Sequence, residues 1–151
     1  MQIASELLAE LVAARLTAGE TCVLVVRTGS MAPLLRPGDS VRVTPLGGEE
    51  PRRGAVLVVR QGNFLLTHRL VGWAGAGEQL LLQGDACLRP DRPVAADAVL
   101  GVVVARRRGG RWQRLPNRGW RYNDVLSWGF GVLGLLLRRT KTLRPSKTKP
   151  S

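Results

Sequence analysis

Residues 25–43 read VVRTGSMAPLLRPGDSVRV, a stretch in which two strand-like runs enclose a segment rich in turn residues. The first run leads into Thr28-Gly29-Ser30, and the second, Ser40–Thr44, alternates apolar and polar residues as a half-buried strand does. Pro37-Gly38-Asp39 supplies the backbone angles that a turn requires. We therefore expect Ser30 to project from the end of a strand, with Gly29 permitting a turn that a side chain would obstruct.

The same alternation of short β-rich runs and Gly/Pro turns continues along the chain. The predicted strands are Cys22–Arg27, Ser40–Thr44, Ala55–Arg60, Phe64–Val71, Gln79–Gln83 and Ala98–Arg106. Frequent turns between short strands, without alternating helices, are typical of all-β domains. The sequence therefore predicts a mainly β fold with a compact core, either barrel-like or made of folded-over sheets.

Both ends of the chain differ from this core. An N-terminal amphipathic helix is predicted because Ile3, Leu7, Leu8, Leu11 and Ala14 recur at helical spacing before Gly19. Near the other end, the stretch 125–137 is apolar apart from one serine and three glycines, which predicts an apolar C-terminal helix. We expect four regions: the N-terminal helix (1–19), a β-rich domain (20–115), the C-terminal helix (120–138) and a basic flexible tail (139–151).

Charge is distributed unevenly over the 151 residues. Lys and Arg number 23 against 11 acidic residues, which gives a formal net charge of +12. Residues 138–151 contain six basic residues and no acidic one. Such a tail is attracted to anionic lipid or to nucleic acid. We expect peripheral contact with an anionic membrane through residues 120–151, and do not expect a nucleic-acid partner; packing of the apolar helix on the core or in an oligomer is the alternative.

The N-terminal region contains Glu6 and Glu10 and no long apolar run, so neither a secretory signal nor a membrane span is expected there. The expected location is therefore the cytoplasm, with possible contact at a membrane surface. One histidine and two cysteines, Cys22 and Cys87, cannot make a Cys/His zinc site, and we expect no metal and no cofactor. Two buried thiols are favoured over a disulfide between the cysteines.

A serine becomes a useful nucleophile when a base accepts its proton, and the sequence restricts the choice of base. All lysines lie in the tail, at Lys141, Lys147 and Lys149. The single histidine, His68, lies in the strand-like run 64–71, and Asp85 and Asp91 lie in the turn-rich stretch 83–91. An aspartate can orient an imidazole that acts as a base. Taken singly, a turn serine, a histidine in a strand and two turn-capping aspartates are also common structural residues.

The order of these segments resembles the conserved boxes of type I signal peptidases and the related LexA-type self-cleaving proteins. The nucleophile box is similar to TGSMAPL at 28–34 with PGDSV at 37–41, and RGAVL at 53–57 resembles the strand that follows it. The box that carries lysine in bacterial leader peptidases is similar to THRLV at 67–71. Histidine in that box is the mark of the endoplasmic-reticulum, archaeal and sporulation-type branch. GDA at 84–86 with Asp91 resembles the acidic box of that branch, and LGVV at 100–103 its closing strand.

The resemblance, which covers about residues 23–105, implies a catalytic group of Ser30, His68 and Asp91, with Asp85 as a second carboxylate that supports His68 or the loop. It also implies an oxyanion hole formed by the Ser30 N–H and the Thr28 hydroxyl, and substrate contacts from Met31 and Pro33. The implied activity is that of a serine endopeptidase that cleaves an extended peptide or precursor protein after small residues. Two alternatives remain: an inactive relative that binds peptides, and a basic protein whose Arg106–Arg108, Arg111, Arg114 and tail contact lipid or nucleic acid.

Overall fold

A computed structural model of the protein describes residues 2–115, which form an N-terminal helix and an antiparallel sheet of eight strands. The elements are α1 (Gln2–Thr17), β1 (Cys22–Val25), β2 (Ser40–Thr44), β3 (Val56–Gln61), β4 (Phe64–Ala74), β5 (Gln79–Gln83), β6 (Val94–Ala95), β7 (Val99–Arg108) and β8 (Arg111–Arg114). The predicted mainly β fold with an N-terminal helix is confirmed. The predicted C-terminal helix (120–138) and basic tail (139–151) lie outside the described residues.

All six predicted strands are present, and two further strands were missed. β2 and β5 have the predicted bounds, whereas β4 and β7 extend beyond them to Ala74 and Arg108. β6 has only two residues, too few to show a period. β8 has the sequence RWQR with every residue exposed, so it lacks the apolar alternation by which strands are recognised.

Strand β7 holds the sheet together because it pairs with three other strands. The order across the sheet is β1-β2-β7-β3-β4-β5-β6, and β8 also pairs with β7. β2 follows one edge of β7 from Val102 to Arg107. The other edge is shared by β3, which pairs with residues 99–102, and β8, which pairs with residues 105–108.

Strand β3 is buried on both faces and separates two apolar clusters. Val56 and Val58 belong to the first cluster, and Leu57 and Val59 to the second. Adjacent strand residues point to opposite faces, so the continuous apolar run of β3 fits a strand covered on both sides. The first cluster also contains Val12, Leu16, Cys22, Met31, Leu35, Val41, Val43 and Val103. The second also contains Ala55, Leu70, Leu80, Leu82 and Val94.

Helix α1 packs on the sheet with a different stripe from the predicted one. Its buried residues are Ala9, Val12 and Leu16, spaced by three and four positions. The members of the predicted stripe Leu7, Leu8 and Leu11 are 66%, 48% and 57% exposed. The prediction of the helix was correct, but the prediction of its buried side was wrong. Both sides of the helix carry apolar residues, and periodicity alone does not show which side packs on the sheet. Among the described residues, no helix has the length and hydrophobicity needed to cross a bilayer.

The loop between β1 and β2 is attached to β7 by an ion pair between Asp39 and Arg108. Arg108 donates from Nε to Asp39 Oδ1 at 2.9 Å and from Nη2 to Oδ2 at 2.6 Å. The Asp39 carboxylate also accepts from the Arg36 N–H at 2.8 Å. Arg106 and Arg108 both donate to the Leu34 carbonyl. These bonds fix both the end of the loop and its middle relative to β7.

Replacing Asp39 with Asn is expected to lower the free energy of unfolding by about 1–3 kcal/mol at pH 7, because charge-assisted bonds to a buried carboxylate are lost. Hydrogen bonding from Arg108 is the main cause that lowers the pKa of the Asp39 carboxyl. A lowered pKa in the folded state gives stability that is complete above about pH 4, the ordinary carboxyl range, and is lost as the pH falls through the lowered value. Urea unfolding of the Asn variant should therefore show a weaker loss of stability below about pH 4.

Glu49→Gln, which neutralises an exposed carboxylate in the β2–β3 loop, is the matched control. It should leave both the stability at pH 7 and its dependence on acid close to those of the parent protein. Equal acid sensitivity of the Asp39→Asn variant and the parent would contradict the assigned role of the ion pair.

Candidate active site

Ser30 lies in the loop that follows β1, and its position is fixed by backbone hydrogen bonds at both ends of that loop. The Val26 N–H donates to the Asp39 carbonyl, and the Gly38 N–H donates to the Val26 carbonyl, each at 2.9 Å. The Ser30 carbonyl accepts from the Ala86 N–H at 2.9 Å, which joins this loop to the one after β5. The half-buried Ser30 is therefore held where the β1–β2 loop meets the loop after β5.

His68 lies on β4, between β3 and β5, and its side chain is only 6% exposed. The distance from His68 Nε2 to Ser30 Oγ is 3.0 Å, which is hydrogen-bond distance. His68 is 38 positions from Ser30 in the sequence. Pairing of β4 with β3 on one edge and β5 on the other fixes the backbone that carries the imidazole. The structure thus brings together Ser30 and His68, the two residues that the sequence analysis predicted to act together.

Asp91 is the carboxylate that faces the imidazole. Its Oδ2 is 2.5 Å from His68 Nδ1, and its backbone N–H donates to the Leu82 carbonyl at 2.7 Å. An ionised carboxylate only accepts hydrogen bonds, so Nδ1 is the donor in this contact. In the neutral imidazole, Nε2 is then left as an acceptor for the Ser30 hydroxyl proton. This tautomer is the one that a general base requires.

Asp85, the second predicted carboxylate, binds Arg69 rather than His68. Arg69 Nε and Nη2 donate to the two Asp85 oxygens at 2.8 and 2.7 Å, and Nη1 donates to the Gly54 carbonyl at 2.7 Å. Both side chains of this pair are less than 8% exposed. Of the two roles expected for Asp85, support of His68 or of the loop, its contacts fit the second, because it bonds to Arg69 and not to the imidazole. Arg69 was missed, although a charged residue inside an apolar strand signals a buried partner.

Thr28 lies beside the serine, as expected of an oxyanion-hole residue. Its Oγ1 is 3.3 Å from Ser30 Oγ, and the Thr28 side chain is exposed. Within residues 2–115, the Ser30 backbone N–H donates no hydrogen bond, so it is available to an incoming acceptor. A hydroxyl and an N–H are thus present next to the candidate nucleophile.

The two residues expected to contact substrate have different surroundings. Met31 is 2% exposed and packs in the first apolar cluster, so its side chain cannot reach a substrate on the surface. The expectation for Met31 was wrong, because an apolar residue directly after the serine anchors the loop to the core. Pro33 is half-buried, and its carbonyl accepts from Arg108 Nη2 at 3.4 Å.

Gly84, rather than Gly29, is the glycine that the site requires. A Cβ on Gly84 would lie 2.6 Å from the Ser30 carbonyl oxygen, 2.7 Å from Cys87 Sγ and 3.0 Å from His68 Nε2. A Cβ on Gly29 would have no heavy atom within 4 Å, and the Gly29 backbone is not in the left-handed region. The prediction for Gly29 was therefore wrong, since the close approach occurs between two loops and not within the turn itself.

In the described part of the chain, no group of three or more His, Cys, Asp or Glu side chains is arranged to hold a metal ion. No protein-family model matches the chain, and a comparison with curated proteins finds no match either.

Replacing Gly84 with Ala is expected to lower the free energy of unfolding by about 1–3 kcal/mol, because the added methyl forces the two loops apart. Gly29→Ala adds the same methyl in open space and should change it by less than about 0.5 kcal/mol. Urea denaturation of both variants measures the difference. Equal stability of the two variants would show that the loops are not packed around Gly84 as described.

Proposed function

We propose that this protein is a serine endopeptidase of the signal-peptidase type, with Ser30 as nucleophile, His68 as general base and Asp91 as the group that orients it. The observation that carries this proposal is the continuous pair of contacts from Ser30 Oγ to His68 Nε2 and from His68 Nδ1 to Asp91 Oδ2. Nucleophile, base and orienting carboxylate at hydrogen-bond distance are what acyl transfer by a serine requires. The order of sequence boxes from residue 28 to residue 103 supports the same assignment.

In the proposed first step, His68 Nε2 accepts the proton of the Ser30 hydroxyl while Ser30 Oγ attacks the carbonyl carbon of the substrate peptide. The charge that develops on the carbonyl oxygen is stabilised by hydrogen bonds from the Ser30 N–H and the Thr28 hydroxyl. The protonated imidazole then donates its proton to the leaving amine, and the C–N bond breaks. Water, deprotonated by the same nitrogen, attacks the acyl-enzyme; the ester bond breaks, and the imidazolium returns the proton to Ser30 Oγ as the carboxylate product leaves.

The proposed substrate is an extended peptide with small side chains before the cleaved bond, as the family resemblance implies. Strand β1 forms one edge of the sheet and leads within a few residues to Thr28 and Ser30. Val23 and Val25 on this edge are more than half exposed. An exposed strand edge offers backbone donors and acceptors to an added strand, which supports binding of the substrate along β1.

Hydrolysis of a mixed peptide library by the purified protein, read by mass spectrometry, tests the proposal. Ser30→Ala and His68→Ala should each reduce the rate at least about 10³-fold, because nucleophile and base act as a unit. Cleavage that survives Ser30→Ala excludes the proposed nucleophile. A folded parent protein that binds peptides without cleaving them would instead favour the inactive peptide-binding relative.

Asp91→Asn tests the orienting carboxylate. The amide can donate to Nδ1 and so favours the wrong tautomer, and kcat should fall about 10²–10⁴-fold with the fold preserved. Asp97→Asn is the matched control, since Asp97 is exposed on the turn before β7. Asp85→Asn should act differently, by lowering the free energy of unfolding through loss of its buried pair with Arg69.

Thr28→Val removes the hydroxyl next to Ser30 and retains the shape of the side chain. It should lower kcat about 10²-fold with little change in KM, because the bond to the oxyanion forms only as charge develops. Thr28→Ser keeps the hydroxyl and should retain most of the activity. Retained activity in the Val variant, together with a loss in the Ser variant, would indicate that the methyl group, and not the hydroxyl, is what matters at this position.

A further inference from the structure

Four residues on the β2–β7–β8 part of the sheet form a surface of arginine around tryptophan. Residues paired across antiparallel strands lie on the same face, and the register aligns Ser40 with Arg107 and Trp112, and Arg42 with Ala105 and Arg114. Arg42, Arg107, Trp112 and Arg114 are exposed on this face, whereas Ser40 and Ala105 are buried beneath them. We call these four exposed residues the arginine–tryptophan face.

Two of the arginines are held by contact with the indole ring. Arg42 Cζ is 4.4 Å from the centroid of the Trp112 ring, and Arg107 Cζ is 5.5 Å from it. Both distances are within the range of cation–π attraction. Trp112 as a whole residue is 37% exposed, and the arginines beside it are exposed as well, so positive charge and indole are presented together to solvent.

The positive charge of this face is not neutralised by the protein. Among the described residues, no ion pair involves Arg42, Arg107 or Arg114. The nearby carboxylate of Asp39 is bound to Arg108 instead. Like charges on neighbouring strands repel each other, so the cluster is unfavourable for the isolated sheet and suited to an anionic partner.

The geometry points to an anionic lipid surface as that partner. Proteins that bind single-stranded nucleic acid offer free aromatic rings for base stacking, but Arg42 already lies over the Trp112 ring. Arginine beside tryptophan instead suits the interface of a bilayer, where guanidinium groups contact phosphates and indole lies at the headgroup level. The sequence that follows β8 continues this composition, with Trp120, Tyr122 and Trp128 before the basic residues from 138 onward.

We propose that the arginine–tryptophan face docks the protein on anionic membrane surfaces, in addition to any contact made by residues 120–151. This proposal does not depend on the peptidase activity. Each arginine close to an anionic surface adds to the binding free energy, and loss of two of them corresponds to about a thirtyfold weaker partition.

Sedimentation of the full chain with lipid vesicles tests the proposal. The parent protein should bind vesicles that contain phosphatidylglycerol, bind phosphatidylcholine vesicles weakly, and be released by salt. The double variant Arg42→Gln/Arg107→Gln should partition about thirtyfold more weakly. Arg52→Gln/Arg53→Gln makes the same change in charge at exposed positions of the β2–β3 loop and should retain most of the binding.

Three outcomes would overturn the proposal. Unchanged binding of Arg42→Gln/Arg107→Gln would mean that other parts of the chain bind the lipid. Equal losses in both double variants would mean that net charge alone is responsible. If the parent binds double-stranded DNA but not vesicles, and Arg42→Gln/Arg107→Gln weakens the binding to DNA, the face would be assigned to nucleic acid. If circular dichroism shows that the double variant is unfolded, Arg114→Gln on the exposed β8 replaces it. This variant is expected to partition onto the vesicles about fivefold more weakly.

Discussion

The buried ion pair between Arg69 and Asp85 joins the strand that carries His68 to the loop that carries Asp91. Arg69 follows His68 directly on β4, and Asp85 precedes Asp91 in the loop after β5. Taking both charges out of water is costly, and the three charge-assisted bonds that Arg69 donates, two to Asp85 and one to the Gly54 carbonyl, offset that cost. Because the two bonds to Asp85 tie this loop to β4, the pair holds the loop in the position in which Asp91 reaches the imidazole.

A second set of contacts fixes the position of the loop that carries Ser30. Asp39 and Arg108 attach the end of that loop to β7, and Met31 anchors it from within the first apolar cluster. Ser30 is thus held from three sides: by β7, by the core, and by the Ala86 N–H of the facing loop. A catalytic group is effective when its supporting residues keep it within a fraction of an ångström of the productive position. Gly84 allows this approach because any side chain there would enter the space between Ser30 and His68.

Six of the arginines in residues 2–115 form two groups that differ in what they contact. Arg69, Arg106 and Arg108 donate to carboxylates or carbonyls inside the protein and shape its loops. Arg42, Arg107 and Arg114 lie on the exposed face around Trp112. Arg107 and Arg108 are adjacent in β7, and the alternation of the strand sends one outward and the other to Asp39. High net charge is therefore not a uniform property of this surface, and the two kinds of arginine are separable by substitution.

Much about this protein is determined by local sequence. The β-rich runs between Gly and Pro turns identify six of the eight described strands, and His68, the single histidine of the sequence, is thereby the candidate partner of Ser30. Tertiary structure decided the rest, because the relevant contacts join residues far apart in sequence. Asp91 and Asp85 look alike in one turn-rich stretch, and only the buried position of Arg69 assigns one to the imidazole and the other to the ion pair. The same holds for three other findings: the need for glycine at Gly84 and not at Gly29, the burial of Met31, and the side of α1 that packs on the sheet. Each depends on which surfaces meet in three dimensions, and residue spacing does not specify those contacts.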